Sequence, residues 1–251
     1  MSYFKIKSFA KINMALNVTG KNLRLHKIES IFGFVSLYDV IFIKEIQSKK
    51  HIISFNGEYS KNIHKKNTIS KLLKILEKEK LIAGHKFEIK VNKYIPSKSG
   101  LGGGSMNAAN ILKYLIKKNF INPGKEQLIS ICKSIGSDVA LGLNSTFTIL
   151  KSNNQVKEFK NCKKFYVLIV KPSFGCSTKE IYSGVKVFTK PRFNKPSKKM
   201  LSFDNLKKLN NSLEAISLSK FPKLKNIKLF LENSSNKSFV RMTGSGSAIV
   251  A

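Results

Sequence analysis

A cluster of glycines near the middle of the chain places the strongest constraint on how this sequence can fold. In the stretch PSKSGLGGGSMNAAN, which begins at Pro96, glycine occupies four of the five positions from Gly100 to Gly104, although the 251 residues include only 15 glycines. Glycine loses more conformational entropy on folding than any other residue, so a run of it inside a domain requires a reason. The flanking patterns predict a strand that ends near Pro96 and a helix that begins at about Ser105.

This order of strand, glycine loop and helix N-terminus is typical of a binding site for an anion such as phosphate. Successive backbone N–H groups can converge on the anion, and the first helical turn adds a partial positive charge. The loop lacks the Lys-Ser or Lys-Thr pair of a P-loop, and Ser105 stands where a dinucleotide-binding loop requires glycine. Ser105 offers a hydroxyl to a phosphate or to Mg²⁺. A flexible loop or tight turn without a ligand is the alternative.

The chain carries a strong positive charge, with 46 basic residues, 14 acidic residues and a net charge of +32. Such a field attracts polyanions, so nucleic-acid binding is one hypothesis. The lysines are dispersed along the whole sequence, however, and no arginine-rich arm, zinc-finger spacing or RNA-binding signature accompanies them. Dispersed charge favours a solvated lysine surface over a nucleic-acid site.

Other features favour a reduced cytoplasmic protein. No uninterrupted apolar run of about 18 residues indicates a membrane span, and the N-terminus lacks the apolar segment of a secretion signal. Cys132, Cys162 and Cys176 leave one cysteine unpaired in any disulfide scheme and have no metal-ligand spacing.

The apolar pattern predicts an α+β protein with two domains, residues 1–154 and 155–251. We expect three or four strands in the first 45 residues and a helix over 67–82. The polar stretch 151–164 indicates a connection, and FYVLIVKP predicts a buried strand that opens the second domain. Two or three helices and a closing strand, tight turn and strand complete the chain.

Three further signals bear on function. Lys11 and Asn13 are two residues apart in FAKINMAL, so their side chains project from one face of a strand, although a solvated face is the default interpretation. Asp138 lies in the apolar segment SIGSDVALGL, where a buried carboxylate needs a partner such as lysine. MTGSGSAIV is a second glycine turn, which alone indicates a hairpin or a close-packing site.

Together these stretches resemble the short motifs of the GHMP kinase superfamily. The motif AK-x-N is similar to residues 10–13, and P-x-x-x-GLGGGSSNAA is similar to residues 96–109, with Met106 in place of a second serine. GADVPF is similar to residues 136–141, and LTGTG or LSGSG is similar to residues 242–246. The motifs occur in the family's order over nearly the whole chain.

The resemblance implies the two-domain GHMP kinase fold, with an N-terminal domain like domain 2 of ribosomal protein S5 and a ferredoxin-like C-terminal domain. ATP and the substrate would occupy the cleft between the domains. Family members continue for a few tens of residues beyond the last glycine motif, whereas this chain ends at Ala251. The resemblance therefore implies a shortened C-terminal domain.

The resemblance also implies ATP with Mg²⁺ as the phosphoryl donor. The residues expected to contact ATP are Pro96, Gly100, Leu101, Gly102, Gly103, Gly104 and Ser105 at the phosphates, and Asn67 and Lys93 near the nucleoside. Asp138 is expected to take the proton from the substrate hydroxyl, and Lys11 to polarise that hydroxyl. Ser105 is the candidate ligand of Mg²⁺.

Asn107 and the third glycine of the loop favour the branch that phosphorylates the 2-hydroxyl of the cytidyl diphosphate of methylerythritol, in the non-mevalonate isoprenoid pathway. The expected substrate contacts are Asn13, His26, Thr178 and Tyr182. In the family's DGYH stretch a tyrosine stacks on cytosine and the histidine reads the base. Here the stretch is LRLH, residues 23–26, so the histidine remains without that aromatic, while Tyr182 matches the family's second aromatic.

Two alternatives remain open at this stage. The missing aromatic is consistent with a GHMP kinase that acts on a different small alcohol. The positive charge is consistent with a catalytically weak relative whose basic surface binds nucleic acid. For the leading hypothesis we expect a small-molecule substrate, no membrane or nucleic-acid partner, and a monomer or a weak homodimer.

Overall fold

The computed structural model describes residues 2–22, 25–61, 63–144, 146–234 and 239–251. The chain forms two compact units, each built from separated segments. The first unit contains Met1–Ala10, Ser36–Ser97 and Gly102–Ser145, and the second contains Lys11–Val35, Lys98–Leu101 and Thr146–Ala251. The division into domains 1–154 and 155–251 stays a prediction.

The N-terminal region forms two long strands, β1 (Phe4–Lys21) and β2 (His26–Ile46), so the expectation of three or four shorter strands is wrong. Gly33 explains part of the difference, because it lies inside β2 rather than in a turn. A Cβ at Gly33 would lie 3.1 Å from the ring of Phe147, so glycine here permits close packing against a neighbouring strand. Residues 23 and 24 of the LRLH stretch lie outside the described residues.

In the first unit, β2 pairs antiparallel with β4 (Lys86–Asn92), which pairs parallel with β3 (Ile52–Asn56). Residues Phe87, Ile89 and Val91 alternate with polar residues and are buried, as the period of a strand requires.

Helices α1 (Thr68–Lys78), α2 (Gly103–Lys117) and α3 (Lys125–Ile135) belong to the same unit, together with a 3₁₀ helix at Ala140–Leu143. Apolar residues at helical spacing give each helix a buried side that packs into one core with the sheet. This core includes Ile43, Leu72, Leu76, Phe87, Ile89, Leu112, Leu115 and Ile131.

In the second unit, β5 (Phe147–Leu150) pairs antiparallel with β2 and with β6 (Val156–Phe159). A second sheet has the order β7-β9-β8 and contains β7 (Ile169–Val170), β8 (Arg241–Met242) and β9 (Ile249–Val250). The strand predicted from FYVLIVKP is therefore only two residues long, and the connection predicted over 151–164 contains β6.

The helices of the second unit are α4 (Thr178–Ser183), α5 (Phe203–Lys207), α6 (Glu214–Lys220) and α7 (Pro222–Asn233), with a 3₁₀ helix at Lys198–Leu201. Buried residues of α4 and α7, namely Ile181, Leu224 and Leu231, share a core with Leu16, Val18 and Ile249. Within the described ranges of the chain, no helix is both long and apolar enough to cross a membrane.

Candidate active site

The glycine cluster forms the start of helix α2, and its glycines meet different physical requirements. Gly102 is the N-cap residue and adopts the left-handed conformation (φ +70°), which residues with a Cβ avoid. A Cβ at Gly103 would lie 2.9 Å from Ile95 Cγ2, so close packing excludes a side chain there. Gly104 is exposed, and its carbonyl accepts a hydrogen bond from Thr68 Oγ1 at 2.7 Å. These contacts argue against a merely flexible loop.

The first turn of α2 leaves its backbone N–H groups available to a ligand. No side chain among the described residues caps this helix, and the first turn contains no acidic residue. Uncapped N–H groups and the helix dipole give this end about half a positive charge. Lys93 Nζ lies 3.3 Å from the position that a Cβ at Gly103 would take, so a lysine side chain lies directly beside this helix end. This end of α2 has the chemistry of an anion site.

Lys93 lies in a buried ion pair beneath the glycine cluster. Its ammonium group donates to Asp39 Oδ2, and both residues are buried. Asn107 Nδ2 donates to the same carboxylate at 2.8 Å, and the backbone N–H groups of Tyr94 and Ile95 donate to Asp39 Oδ1 at 2.8 Å each. Asp39 therefore fixes Lys93 together with the chain that leads into the cluster. The sequence gives one signal for this unpredicted residue, an acid inside the apolar stretch LYDVIFI.

Asn67 serves as the N-cap of α1. Its Oδ1 accepts hydrogen bonds from the N–H groups of Ile69 and Ser70, and Ser70 Oγ accepts from the Asn67 N–H in return. This reciprocal capping box satisfies three donors at the start of the helix. The predicted contact of Asn67 with the nucleoside stays a prediction, as does that of Pro96, which is buried after β4.

Asp138, the predicted base, is half-buried between α3 and the 3₁₀ helix at Ala140–Leu143. Its Oδ1 lies 3.5 Å from Ser137 Oγ. A Cβ at Gly136 would lie 3.9 Å from Ser105 Oγ, so the turn before Asp138 approaches the first turn of α2. The first unit therefore brings Ser105 close to the segment that contains Asp138.

Lys11 and Asn13 form a buried hydrogen-bonded pair in the second unit, on one face of β1 as their spacing predicts. Lys11 Nζ donates to Asn13 Oδ1 at 2.5 Å. Asn13 Nδ2 donates to Ser30 Oγ at 2.8 Å, and the Ser30 hydroxyl donates to the carbonyl of Ala15 at 2.6 Å. The chain of hydrogen bonds orients the asparagine so that its oxygen faces the ammonium group. The Lys11 backbone N–H donates to the carbonyl of Leu101 at 3.0 Å.

The second glycine turn packs directly on the start of the glycine cluster. Gly100 has φ +77°, and a Cβ there would lie 2.1 Å from the carbonyl oxygen of Thr243. The Thr243 hydroxyl accepts a hydrogen bond from the Asn13 N–H at 2.8 Å, and the Ala248 N–H donates to the carbonyl of Ser99 at 3.0 Å. The MTGSGSAIV stretch is therefore both a hairpin and a close-packing site, and Thr243 connects it to β1.

His26 and Tyr182 lie side by side in the second unit, with ring centroids 5.1 Å apart and an interplanar angle of 41°. Burial, and then the charge of Lys21, lower the pKa of His26 below its usual value. Thr178, which begins the same helix as Tyr182, has its Oγ1 3.0 Å from the Oγ of Ser245 in the second glycine turn. The fold therefore places His26 beside Tyr182, and it places Thr178 beside Ser245 of the second glycine turn.

Comparison with known proteins identifies the family. The GHMP kinases N terminal domain family matches residues 67–150. A 4-diphosphocytidyl-2-C-methyl-D-erythritol kinase of Pelagibacter ubique is 55% identical over 251 residues, which cover 100% of this chain and 89% of that protein. The chain belongs to the 4-diphosphocytidyl-2-C-methyl-D-erythritol kinase family. A member of this kinase family from Clostridium beijerinckii is 31% identical over 255 residues, with 98% of this chain and 90% of that protein covered.

Solved structures agree with this assignment at the level of the fold. A crystal structure of 4-(cytidine 5'-diphospho)-2C-methyl-D-erythritol kinase has a TM-score of 0.75 and 24% identity, covering 98% of this chain and 89% of that one. A homoserine kinase from Cytophaga hutchinsonii has a TM-score of 0.67 and 16% identity, covering 100% and 85%. The predicted GHMP kinase fold and the prediction of an ATP-dependent small-molecule kinase are confirmed.

Proposed function

We propose that this chain transfers the γ-phosphoryl group of ATP to the 2-hydroxyl of 4-diphosphocytidyl-2-C-methyl-D-erythritol, in the non-mevalonate isoprenoid pathway. The observation that carries the proposal is the 55% identity, along the whole chain, to the Pelagibacter ubique protein of that name. Support from the site comes from three elements with the required chemistry: an anion site at the start of α2, a buried lysine and a half-buried aspartate.

The ATP phosphates fit the glycine cluster because its backbone can approach an anion closely. The first turn of α2 has no side-chain cap on its backbone N–H groups among the described residues, and it carries no acidic residue that would repel phosphate. The proposed contacts of the polyphosphate are Pro96, Gly100, Leu101, Gly102, Gly103, Gly104 and Ser105. Asn67 and Lys93 are the proposed contacts near the nucleoside of ATP, and their side chains also make hydrogen bonds within the first unit.

Mg²⁺, when bound, would neutralise charge that develops on the phosphates during transfer. The hydroxyl of Ser105 is the proposed ligand from this chain. The described part of the chain contains no group of three or more His, Cys, Asp or Glu residues that could hold a metal ion. That composition suits Mg²⁺, which is commonly held by substrate phosphates and water with few protein ligands.

Asp138 and Lys11 are the proposed catalytic residues. An Asp138 carboxylate oxygen would accept the proton of the 2-hydroxyl as the oxygen attacks phosphorus. The Lys11 ammonium group would donate a hydrogen bond to the same hydroxyl and favour its negative charge. Asn13 would hold the ammonium group in place, because its Oδ1 accepts from Lys11 Nζ. Positioned proton transfer contributes about 10²–10⁴-fold to a rate.

The test of substrate identity is a coupled ADP-release assay with ATP and Mg²⁺. It compares the cytidyl diphosphate of methylerythritol with mevalonate and homoserine as acceptors. Turnover of the first acceptor alone is the expected result. Turnover of another alcohol would agree with the kinase chemistry but contradict the proposed substrate. This comparison matters because Leu25, which is 70% exposed, stands before His26 where the family has an aromatic residue.

The proposed role of Asp138 is tested with Asp138→Asn. We expect turnover to fall by about 10²–10⁴-fold or more, because the amide cannot accept the proton, while the Kd for ATP stays within about twofold of the wild-type value. Asp204→Asn is the matched control, since the same chemical change then falls on a carboxylate that is 86% exposed. Wild-type turnover of Asp138→Asn would remove Asp138 from the mechanism.

A further inference from the structure

The second unit contains a third aromatic ring beside His26 and Tyr182. The Phe188 ring centroid lies 6.4 Å from that of His26, and 44% of the Phe188 surface is exposed. Both ring neighbours remain partly accessible, because His26 and Tyr182 are only half-buried, although Tyr182 also packs against the core of the second unit. The three rings therefore leave flat apolar surface accessible, most of all at Phe188.

Phe188 lies on a segment without helix or strand that is nevertheless held in place. Thr189, the next residue, donates two hydrogen bonds to the carbonyl of Val18, from its backbone N–H at 2.9 Å and from Oγ1 at 3.2 Å. Such contacts immobilise the backbone immediately beside the exposed ring. An ordered ring loses less entropy on binding a ligand than a mobile one.

Glu29 fixes the same segment a few residues further on. Its side chain is completely buried, and its carboxylate accepts hydrogen bonds from the backbone N–H groups of Arg192 at 2.8 Å and Phe193 at 2.9 Å. Asn17 Nδ2 donates to Glu29 Oε1 at 2.8 Å. A buried carboxylate is costly unless fully hydrogen-bonded, and these three donors meet that requirement.

We propose that Phe188 supplies a stacking face for the cytosine ring of the substrate, and that Glu29 is a positioning residue that holds Phe188 beside His26 and Tyr182. The proposal rests on the proposed function, from which the cytidyl group comes. A pyrimidine offers a flat π-face that stacks on aromatic side chains and an edge that requires hydrogen bonds. His26 can serve that edge, because its neutral ring has one donor and one acceptor.

Other aromatic residues of this unit are less suited to stacking on a base. Phe174 is already stacked on Phe221, with centroids 5.6 Å apart and an interplanar angle of 14°. Leu25, which precedes His26, is exposed but has no ring. In the described part of the second unit, the rings in contact with His26 are therefore the exposed Phe188 and the half-buried Tyr182.

The test is steady-state kinetics of Phe188→Ala with the cytidyl substrate. We expect KM for that substrate to rise about 5- to 150-fold, the range for loss of one base–aromatic stack, with kcat and the KM for ATP unchanged. Phe188→Tyr keeps the ring and should restore KM. Phe230→Ala is the matched control, because it removes a 73% exposed phenylalanine of the same unit from helix α7.

A binding measurement separates this proposal from the proposed function. CDP, used as a competitive inhibitor, should bind Phe188→Ala more weakly by the same factor, whereas ADP binding should not change. A wild-type enzyme that does not turn over the cytidyl substrate would refute the proposed function. A wild-type enzyme that does, with an unchanged KM in Phe188→Ala, would refute the role of Phe188. A rise in the KM for ATP alone would assign the Phe188 ring to the adenine of ATP, and this result would also refute the proposed role of Phe188.

The role of Glu29 is tested by Glu29→Gln alone and in combination with Phe188→Ala. If Glu29 acts through Phe188, the single variant raises KM for the cytidyl substrate, and the double variant is no worse than Phe188→Ala. Full additivity would contradict the positioning role. If Glu29→Gln does not fold, Thr189→Val provides the milder version, since it removes the Oγ1 hydrogen bond to Val18 and keeps the backbone one.

Discussion

The contact of Gly100 with the second glycine turn, within the second unit, leads to a quantitative prediction for Gly100→Ala. Gly100 has φ +77°, a conformation that costs an L-residue about 1–2 kcal/mol. In addition, the new Cβ would lie 2.1 Å from the carbonyl oxygen of Thr243 and 3.3 Å from the Gly246 nitrogen. Both neighbours are backbone atoms, joined by a hydrogen bond of 3.0 Å, so neither can rotate away. Overpacking of this kind costs about a further 1–3 kcal/mol.

Gly84→Ala separates the two contributions. Gly84 has φ +79°, so the backbone cost of alanine is nearly the same, but a Cβ there would have no neighbour within 4 Å. We therefore expect Gly84→Ala to lower the free energy of unfolding by about 1–2 kcal/mol. Gly100→Ala should lower it by about 1–3 kcal/mol more.

The assay is urea and thermal unfolding followed by circular dichroism, since the chain has no tryptophan. A loss of 1 kcal/mol corresponds to about 2–4 °C in Tm for a chain of this size. We also expect the KM for ATP to rise in Gly100→Ala alone, because relief of the clash displaces the glycine cluster. Equal losses of stability in the two variants would show that the approach of Gly100 to Thr243 is not rigid, and would refute the reasoning.

Two further predictions concern the first unit. Asp39→Asn should lower the free energy of unfolding by about 3–5 kcal/mol, because it leaves the buried Lys93 ammonium group without its counter-charge. Urea unfolding measures this loss. A loss no larger than that caused by Asp204→Asn, at an exposed position, would contradict the burial of the ion pair. His51 has a pKa lowered by burial, although Glu77 opposes the effect. The folded state therefore favours the neutral form of His51 more than the unfolded chain does, and stability that is fully present above pH 6.5 should be lost as the pH falls from that value through the lowered pKa. In His51→Asn the side-chain oxygen can still accept a hydrogen bond from the Phe87 N–H. This variant should therefore lose less stability than the wild type between pH 6.5 and 5. A pH profile of stability identical to that of the wild type would contradict the role of His51.

Local chemistry allowed the glycine cluster and the helix starts to be predicted from the sequence. Gly102 adopts φ +70° immediately before α2, and Asn67 caps α1 with Ser70 in the pattern that the Asn-Thr start indicates. The spacing of Lys11 and Asn13 also predicted their shared strand face. In each case, the determining residues lie within a few positions of one another, where periodicity and capping rules apply.

Long-range packing accounts for what the sequence did not reveal. The partner of Gly100 is Thr243, and the partner of Lys93 is Asp39, and neither pair is close in the chain. Phe188 lies in VKVFTKPRF, where no period distinguishes an exposed ring from a buried one. Conversely, an unbroken apolar run predicted a buried strand at FYVLIVKP, although Tyr166 within it is fully exposed.

Three acidic residues of this basic chain share a structural use that composition alone does not reveal. Asp39 accepts hydrogen bonds from the backbone N–H groups of residues 94–95, and Glu29 from those of residues 192–193. Glu214 accepts from the backbone N–H just before the second glycine turn. Carboxylates make stronger hydrogen bonds to N–H donors than neutral acceptors do. The scarcity of aspartate and glutamate therefore does not identify a catalytic acid or base by elimination, since these three acids instead bind backbone N–H groups of distant segments.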